Sequence, residues 1–514
     1  MKADTDVTTT AQALSSPRSY GHFIQGASWL QGAQTVERHA PATGQLVARY
    51  TSGTVDDAKA AVTAARIAFD DGPWRHLSGQ DRSRILNRLA DLMRRDSENL
   101  ARIEAEETGK PLRLARGDVQ GSIGLTEYAA ALALTMHGDV HTNLGPNFTG
   151  LVTRVPAGVV GMITPWNFPL LLLMQKLPFA LAAGCTAVAK PAEVTSGTTL
   201  EMAALAAEAG VPAGVFNVIT GRGSILGQHL AESHDIDVLS FTGSTAVGQR
   251  IIEASAGNTK RLSMELGGKA ATIVFPDADL DDALDGVLFG VFFNQGECCV
   301  SGARLLIHRD IADSFLTALV ARAKELAVGQ PLDEKSDIGA LIHQDHLESV
   351  LNYVSIGQEN GADLILGGSR LDTPELRDGL FVAPTILDNV DVDNPAFREE
   401  IFGPVLTVTR FDTVEEAIAL ANSVQYGLAN SVWSKNIDTA LTVGRALDSG
   451  TVWINTTIDG APQLPGGGVK NSGYGREMGQ VGFDEFTEIK TIQIRTGKRD
   501  AFFRTADVDY HPAG

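Results

Sequence analysis

Cysteine is scarce in this sequence of 514 residues, which has only Cys185, Cys298 and Cys299. An odd, small number provides no disulfide framework and suits a reducing compartment, so a cytoplasmic location is expected. Long apolar runs are missing too. The nearest, over 168–183, is broken by Gln175, Lys176 and two prolines, whereas a membrane helix needs about 20 consecutive apolar residues. Basic residues are outnumbered 42 to 62, for a formal net charge of −20. Such an acidic body repels nucleic acid and anionic lipid, and its simplest use is solubility. The first residues lack the apolar core of a secretory signal, and Asp4 and Asp6 argue against a transit peptide, so 1–18 is expected to be a flexible tail.

What is present is ordinary for a globular chain: 44% hydrophobic and 20% charged residues. The length implies about two or three domains. No internal repeat or low-complexity linker stands out. Strand-like runs at 23–30 and 47–50 precede a mainly helical region over 54–137, where Ile85, Leu89, Leu92 and Met93 recur at helical spacing.

From Val155 the pattern becomes short apolar runs, each followed by a turn and a helical stretch. The runs are 159–163, 186–189, 215–219 and 238–241. That alternation implies βαβ units around a parallel sheet, with ligands beyond the carboxyl ends of its strands. A second α/β series begins near Ala270, with strand candidates at 272–275, 304–307, 405–411, 430–433 and 451–455 and a helix over 311–327. Two α/β lobes with a site at their junction is the expected architecture. The last strand candidate, 487–495, lacks an obvious partner and is expected to complete a sheet elsewhere, such as in another subunit.

Five segments carry candidate chemistry. In FNQGECC, adjacent Cys298 and Cys299 sit in a polar, glycine-containing stretch. Two buried structural thiols is the plainer reading. Metal binding lacks a second cysteine pair or a histidine pair at ligand spacing. A nucleophilic thiolate remains, and either cysteine fits by chemistry alone. FTGSTAVG follows an apolar run, and the helix it opens offers unpaired N–H groups to a phosphate. It lacks GxGxxG, so an ordinary strand–helix turn is an equal reading.

AVAKPAE places Lys190 and Glu193 at the ligand edge of a strand, where a carboxylate can accept both ribose hydroxyls of an adenosine; an exposed charged loop is the alternative. In MELGGK, Glu265 stands among apolar residues and glycines. Burial there raises its pKa and suits it for general-base work; otherwise it is a surface glutamate before a turn. TPWNFP follows a strand, and Asn167 can offer its amide to a developing oxyanion or simply shape a turn.

Singly these signals are ambiguous. In order along one chain, TPWNFP, AVAKPAE, FTGSTAVG, MELGGK, FNQGECC, EEIFGP and SGYGRE make the sequence closely resemble the aldehyde dehydrogenase superfamily, from about residue 20 to about residue 495. The resemblance implies a Rossmann-like NAD-binding domain over 19–136 and 155–266, and an α/β catalytic domain over 267–483. It also implies a small β oligomerisation element over 137–154 and 484–497, in a homodimer or homotetramer. Residues 498–514 extend beyond the usual family end.

By the same resemblance Cys299 is the nucleophile, Glu265 the base that activates water, and Asn167 with the Cys299 N–H the oxyanion donors. Lys176 and Glu477 match a proton-relay pair. Lys190 and Glu193 match adenosine-ribose ligands, Ser244 a pyrophosphate contact, and Glu400 with Phe402 the nicotinamide-ribose end. Ile163, Thr164, Pro165, Trp166, Ala192, Gly223, Gly227, Phe241, Thr242, Gly243, Val247, Leu266 and Gly267 complete the expected cofactor cradle. Glu193 repels a 2′-phosphate, so NAD⁺ is expected over NADP⁺. CoA-acylating relatives often lack the glutamate at position 265, so the expected product is the free carboxylic acid.

The sequence departs from the family where an aromatic residue commonly stands near the tunnel mouth: the segment here is LPGGG, with Gly466. Gln175 falls where some relatives carry tryptophan. With Phe168, Leu172, Phe293, Cys298, Val300 and Ile458 as the other tunnel candidates, a medium-sized, bulky or polar aldehyde is the expected substrate. Betaine or amino aldehydes are the runner-up, for which no aromatic cage is evident over 458–464. A catalytically idle relative and a cofactor-independent thiol esterase are the competing functions; the set Cys299, Glu265, Asn167, Lys190, Glu193 and Glu400 argues against both.

Overall fold

The computed structural model describes residues 17–29, 34–499 and 502–503. The expected N-terminal tail therefore lies almost wholly outside the described residues, as do residue 30 of the run at 23–30 and most of the extension over 498–514. The region after Thr54 is helical as expected: Val55–Asp70, Gly79–Arg95, Ser97–Thr108 and Leu112–Thr135. The first helix opens on a capping box, in which Thr54 and Asp57 satisfy each other's backbone N–H. The apolar stripe of Gly79–Arg95 buries Leu86, Leu89, Ala90 and Met93, with Ile85 and Leu92 at its margins.

The fold is α/β with two large sheets. The first runs in the order Gly473–Tyr474, Arg261–Glu265, Val238–Thr242, Val159–Ile163, Thr186–Lys190, Phe216–Val218, His22–Ile24 and Ala27–Trp29. Its five central strands are parallel, and its edge pairs are antiparallel. Most positions of the central strands are buried, because helices cover both faces of such a sheet. From Val159–Ile163 the chain moves one way across the sheet to Thr186–Lys190 and Phe216–Val218. It then returns to the other side for Val238–Thr242 and Arg261–Glu265. The switch point thus lies between Val159–Ile163 and Val238–Thr242, where a ligand crevice forms beyond the strand ends.

The second sheet runs Asp363–Leu366, Thr385–Asp388, Val405–Phe411, Arg304–His308, Ala271–Val274, Ala429–Trp433 and Thr451–Ile454, parallel except at its first strand. Gly473–Tyr474 crosses from this part of the chain to edge the first sheet against Arg261–Glu265.

A third sheet of three strands corrects one expectation. Thr487–Arg495 finds its partner within the chain, pairing antiparallel with Phe148–Pro156 from Thr487↔Pro156 to Arg495↔Phe148. The partner is 331 residues away in sequence at one end (487 − 156) and was unreadable from local pattern. The expected run at 23–30 is two short strands around a turn at Gln25 and Gly26, both at positive φ. The helix expected over 311–327 is Arg309–Ala323. Among the described residues no helix is long and apolar enough to cross a membrane.

Candidate active site

The helix Leu280–Phe292 delivers the chain to the cysteine pair through three consecutive left-handed residues: Asn294 (φ 51°), Gln295 (φ 49°) and Gly296 (φ 76°). Two non-glycine residues in that region are costly and persist only where neighbours hold them. Here Asn294 Nδ2 donates to the carbonyls of Asn167 (3.2 Å) and Glu297 (3.0 Å). Gln295 Nε2 donates to Glu297 Oε2 at 2.9 Å, and the Ile342 N–H to Glu297 Oε1 at 2.9 Å. Gly296 has no room for a side chain, since a β-carbon would lie 2.1 Å from the Gly403 carbonyl oxygen. Cys298 emerges buried and Cys299 half-buried, both as free thiols.

Asn167, at the end of the turn after Val159–Ile163, is buried and donates from Nδ2 to the Glu297 carbonyl at 3.0 Å. Its amide therefore stands two residues ahead of Cys299. The glycine pair of MELGGK has a steric reason. A β-carbon on Gly268 would sit 2.2 Å from the Cys299 carbonyl oxygen, and one on Gly267 would sit 2.3 Å from Glu400 Oε2. The Gly268 N–H donates to Glu400 Oε1 at 3.0 Å. Two side-chain-free residues thus let the Cys299 loop and the Glu400 carboxylate both close on the end of Arg261–Glu265.

Glu265 ends that strand. Its Oε1 is enclosed and has no hydrogen-bond partner, and the chain passes it at Gly467, whose β-carbon would lie 2.8 Å away. Burial, then the neighbouring Glu477 charge, raises the Glu265 pKa well above the ordinary carboxylate range. Lys176 is fully buried, donates to Thr242 Oγ1 at 2.7 Å and is ion-paired with Glu477. The Cys299 thiol is also pushed well up, by its neighbour Cys298, by burial and by the Glu400 and Glu265 charges. Both shifts run in the same direction, toward the neutral thiol and the neutral carboxyl.

The switch-point crevice is bordered by Ile163, Thr164, Pro165 and Trp166 on one strand end and by Phe241, Thr242, Gly243 and Ser244 on the other. Ser244 caps the exposed start of Thr245–Ala254, its Oγ accepting from the Val247 N–H, and Leu266 packs under Gly248 of that helix. At the next strand end Lys190 is buried, which lowers its pKa to about 8. Glu193 Oε1 accepts from the Gly223 N–H at 3.0 Å. Ala192 sits between them, half-buried, and Gly227 lies over Ile163. On the other lobe Phe402, at φ 59°, meets Trp166 edge-on with centroids 5.3 Å apart. Burial pushes Glu400 up to about 7. A buried cation beside a carboxylate, an open helix N-terminus and a second carboxylate in the other lobe are the donor set that a dinucleotide needs.

A small apolar cluster joins Phe168, Leu172 and Cys298 with Leu171, Phe293 and Val300 at its rim. The Phe168 and Phe293 rings stack at 5.8 Å, 23° apart. Gln175 and Ile458 are half-buried and stand outside this cluster. At Gly466 a β-carbon would meet one neighbour, the flexible end of Met478, whose Cε lies 3.1 Å away.

Against this geometry, the profile of the aldehyde dehydrogenase family matches residues 29–492. The chain belongs to the aldehyde dehydrogenase family. A curated relative, betaine aldehyde dehydrogenase of Bacillus subtilis, is 44% identical over 476 residues, which is 92% of this chain and 97% of the relative. The crystal structure of an NAD-dependent aldehyde dehydrogenase from Sinorhizobium meliloti superposes with a TM-score of 0.93 at 46% identity, covering 95% of this chain and 96% of that one. Betaine aldehyde dehydrogenase from Staphylococcus aureus, solved with NAD⁺, gives 0.93 at 37% identity, covering 95% and 97%.

Several residues of this aldehyde dehydrogenase that shape the site were missed in the sequence. His346 packs edge-on against Trp166 and Phe402, its Nε2 lies 2.7 Å from the Phe402 carbonyl, and burial lowers its pKa to about 4. Glu297 is buried under the cysteine loop, and burial raises it to about 8. Glu297 stood inside a motif already singled out, and its position two residues before Cys299 was the available signal. His346 had none.

Proposed function

We propose that the enzyme oxidises an aldehyde to its carboxylic acid with NAD⁺, using Cys299 as nucleophile. One arrangement carries this reading. The Asn167 amide and the Cys299 loop are tied together through the Glu297 carbonyl, beside a Glu265 carboxyl left without a partner. Cys299 passes its thiol proton to the neighbouring Glu265 carboxylate, and Sγ adds to the aldehyde carbonyl carbon. The Asn167 Nδ2–H and the Cys299 N–H hold the oxyanion. Bound NAD⁺ supplies the hydride acceptor. The acyl group left on Cys299 as a thioester is attacked by water, and Glu265 takes the water's proton. The Lys176–Glu477 pair and Thr242 give that proton a route away from Glu265. A carboxylate released in this way, not an acyl-CoA, is the product.

Lys190 and Glu193 hold the adenosine ribose, Ser244 and the N-terminus it caps hold the pyrophosphate, and Glu400 with Phe402 and Trp166 hold the nicotinamide end. Thr164, Pro165, Gly243 and Gly267 supply close backbone approach. The Phe168–Phe293 cluster forms the aldehyde tunnel. Phe168 already faces the Lys110 ammonium at 4.2 Å and stacks on Phe293, which leaves little ring face for a substrate cation. A neutral, medium-sized aldehyde fits better than betaine aldehyde, the substrate named for two relatives. The free edge of Thr487–Arg495 exposes Ile489, Ile492 and Ile494, and Val140 and Leu144 are exposed in the same sheet region. That is the surface of a homo-oligomer, a dimer or tetramer.

Aldehyde-dependent NADH absorbance tests the assignment. Cys299→Ser abolishes it and Cys298→Ser retains it; the reverse result would move the nucleophile to Cys298.

A further inference from the structure

Behind the tunnel wall lies an ionic cluster that the proposed chemistry does not use. The helix Ser97–Thr108 ends at Gly109, φ 88°, where a β-carbon would meet the Ala340 carbonyl at 2.5 Å. That turn aims Lys110 inward. Its side chain is fully buried, with Nζ 2.5 Å from Asp118 Oδ2 and 3.6 Å from Glu104 Oε1, two carboxylates that are themselves buried. Apolar side chains would pack such a space at least as stably, so burying three ionisable groups here calls for another reason.

The cluster grips the segment Asn167-Phe168-Pro169-Leu170 at two points. Glu104 Oε2 accepts from the Leu170 N–H at 3.3 Å, at the start of the helix Pro169–Met174. The Lys110 ammonium stands 4.2 Å from the Phe168 ring centroid, and Phe293 stacks on that ring. A buried ammonium over an aromatic face holds the ring's orientation by electrostatics.

We infer that Lys110 is a positioning residue for aldehyde selectivity: acting through Phe168, with Glu104 bracing Leu170, it sets the width of the tunnel beside Asn167. The inference rests on Phe168 being a tunnel wall. Lys110 itself touches neither substrate nor reacting atoms.

A double-mutant cycle tests it. The readout is the ratio of kcat/KM for benzaldehyde to that for acetaldehyde, measured in Lys110→Met, Phe168→Leu, the double variant and Lys110→Arg. Lys110→Met should shift the ratio by about three- to thirtyfold, the span from an exposed to a desolvated cation–π contact. In the Phe168→Leu background the same substitution should shift it less than about twofold, and Lys110→Arg should restore most of the parent ratio. Equal effects on both aldehydes, or the same shift with and without Phe168, would mean that Lys110 only packs, and would overturn the inference. An unchanged ratio in Phe168→Leu would instead remove Phe168 from the tunnel, and the inference with it. Should Lys110→Met not fold, Asp118→Asn, which loosens the ammonium at constant size, takes its place in the cycle with the same two outcomes.

Discussion

Replacing Asn167 by alanine separates catalysis from stability at this site. The Asn167 Nδ2 makes one hydrogen bond, to the Glu297 carbonyl, and that carbonyl also accepts from Asn294 Nδ2 at 3.0 Å. Asn294 in turn donates to the Asn167 backbone carbonyl, which alanine keeps. The Glu297 oxygen is therefore not orphaned, and the stability loss should stay near the net value of one hydrogen bond, about 0.5–1.5 kcal/mol. Loss of an oxyanion donor acts on the transition state alone and should lower kcat about 10²- to 10³-fold, some 2.7–4 kcal/mol. Because that interaction is absent in the ground state, kcat and kcat/KM should fall together. Steady-state NADH formation at 340 nm, with thermal unfolding as control, measures both. A folded Asn167→Ala variant with kcat within about threefold of the parent would refute the reasoning and leave Asn167 as a support for the cysteine loop.

Three further outcomes follow from the same contacts. Gly268→Ala places a β-carbon 2.2 Å from the Cys299 carbonyl oxygen; a loop displaced by about 1 Å should cost about 10²-fold in kcat/KM, and an unchanged rate would mean the loop yields freely. Because the resting Cys299 thiol is raised, its thiolate fraction grows with pH, so iodoacetamide alkylation of the cofactor-free enzyme should rise about tenfold per pH unit from neutrality upward. A flat profile would mean a preformed thiolate. Glu193→Gln keeps an acceptor for the Gly223 N–H but removes the charge, so the NADP⁺/NAD⁺ ratio of kcat/KM should rise about tenfold or more; no change would detach cofactor choice from Glu193.

Most of the parallel strands were legible because they are short apolar runs bounded by Gly, Pro or a turn, as a sheet covered on both faces requires; Thr385–Asp388 was not among the candidates. The runs 159–163 and 405–411 match the observed strands to the residue. Arg261–Glu265 was missed: RLSME carries a cation and a carboxylate and no run of β-branched residues, and it is a strand because Val238–Thr242 and Gly473–Tyr474 pair with it. For Thr487–Arg495 the strand was visible and its partner was not. Within the site, Cys298 and Cys299 were chemically equivalent in sequence. In the structure Cys298 joins the apolar cluster with Phe168 and Leu172, while the Cys299 backbone abuts Gly268. Lys110, Glu104 and His346 gain their meaning only from proximity: Glu104 meets Leu170 across 66 residues, and His346 meets Phe402 across 56. No local pattern encodes such meetings.

The central claim is that Glu265 releases an acyl group held on Cys299. Glu265→Gln, mixed with an aldehyde and NAD⁺ and quenched in acid, tests it most directly. A burst of about one NADH per active site, followed by a stalled steady state and an acyl mass on the peptide that contains Cys299, is the predicted result. Steady turnover at the parent rate, or the acyl mass on Cys298, would contradict it.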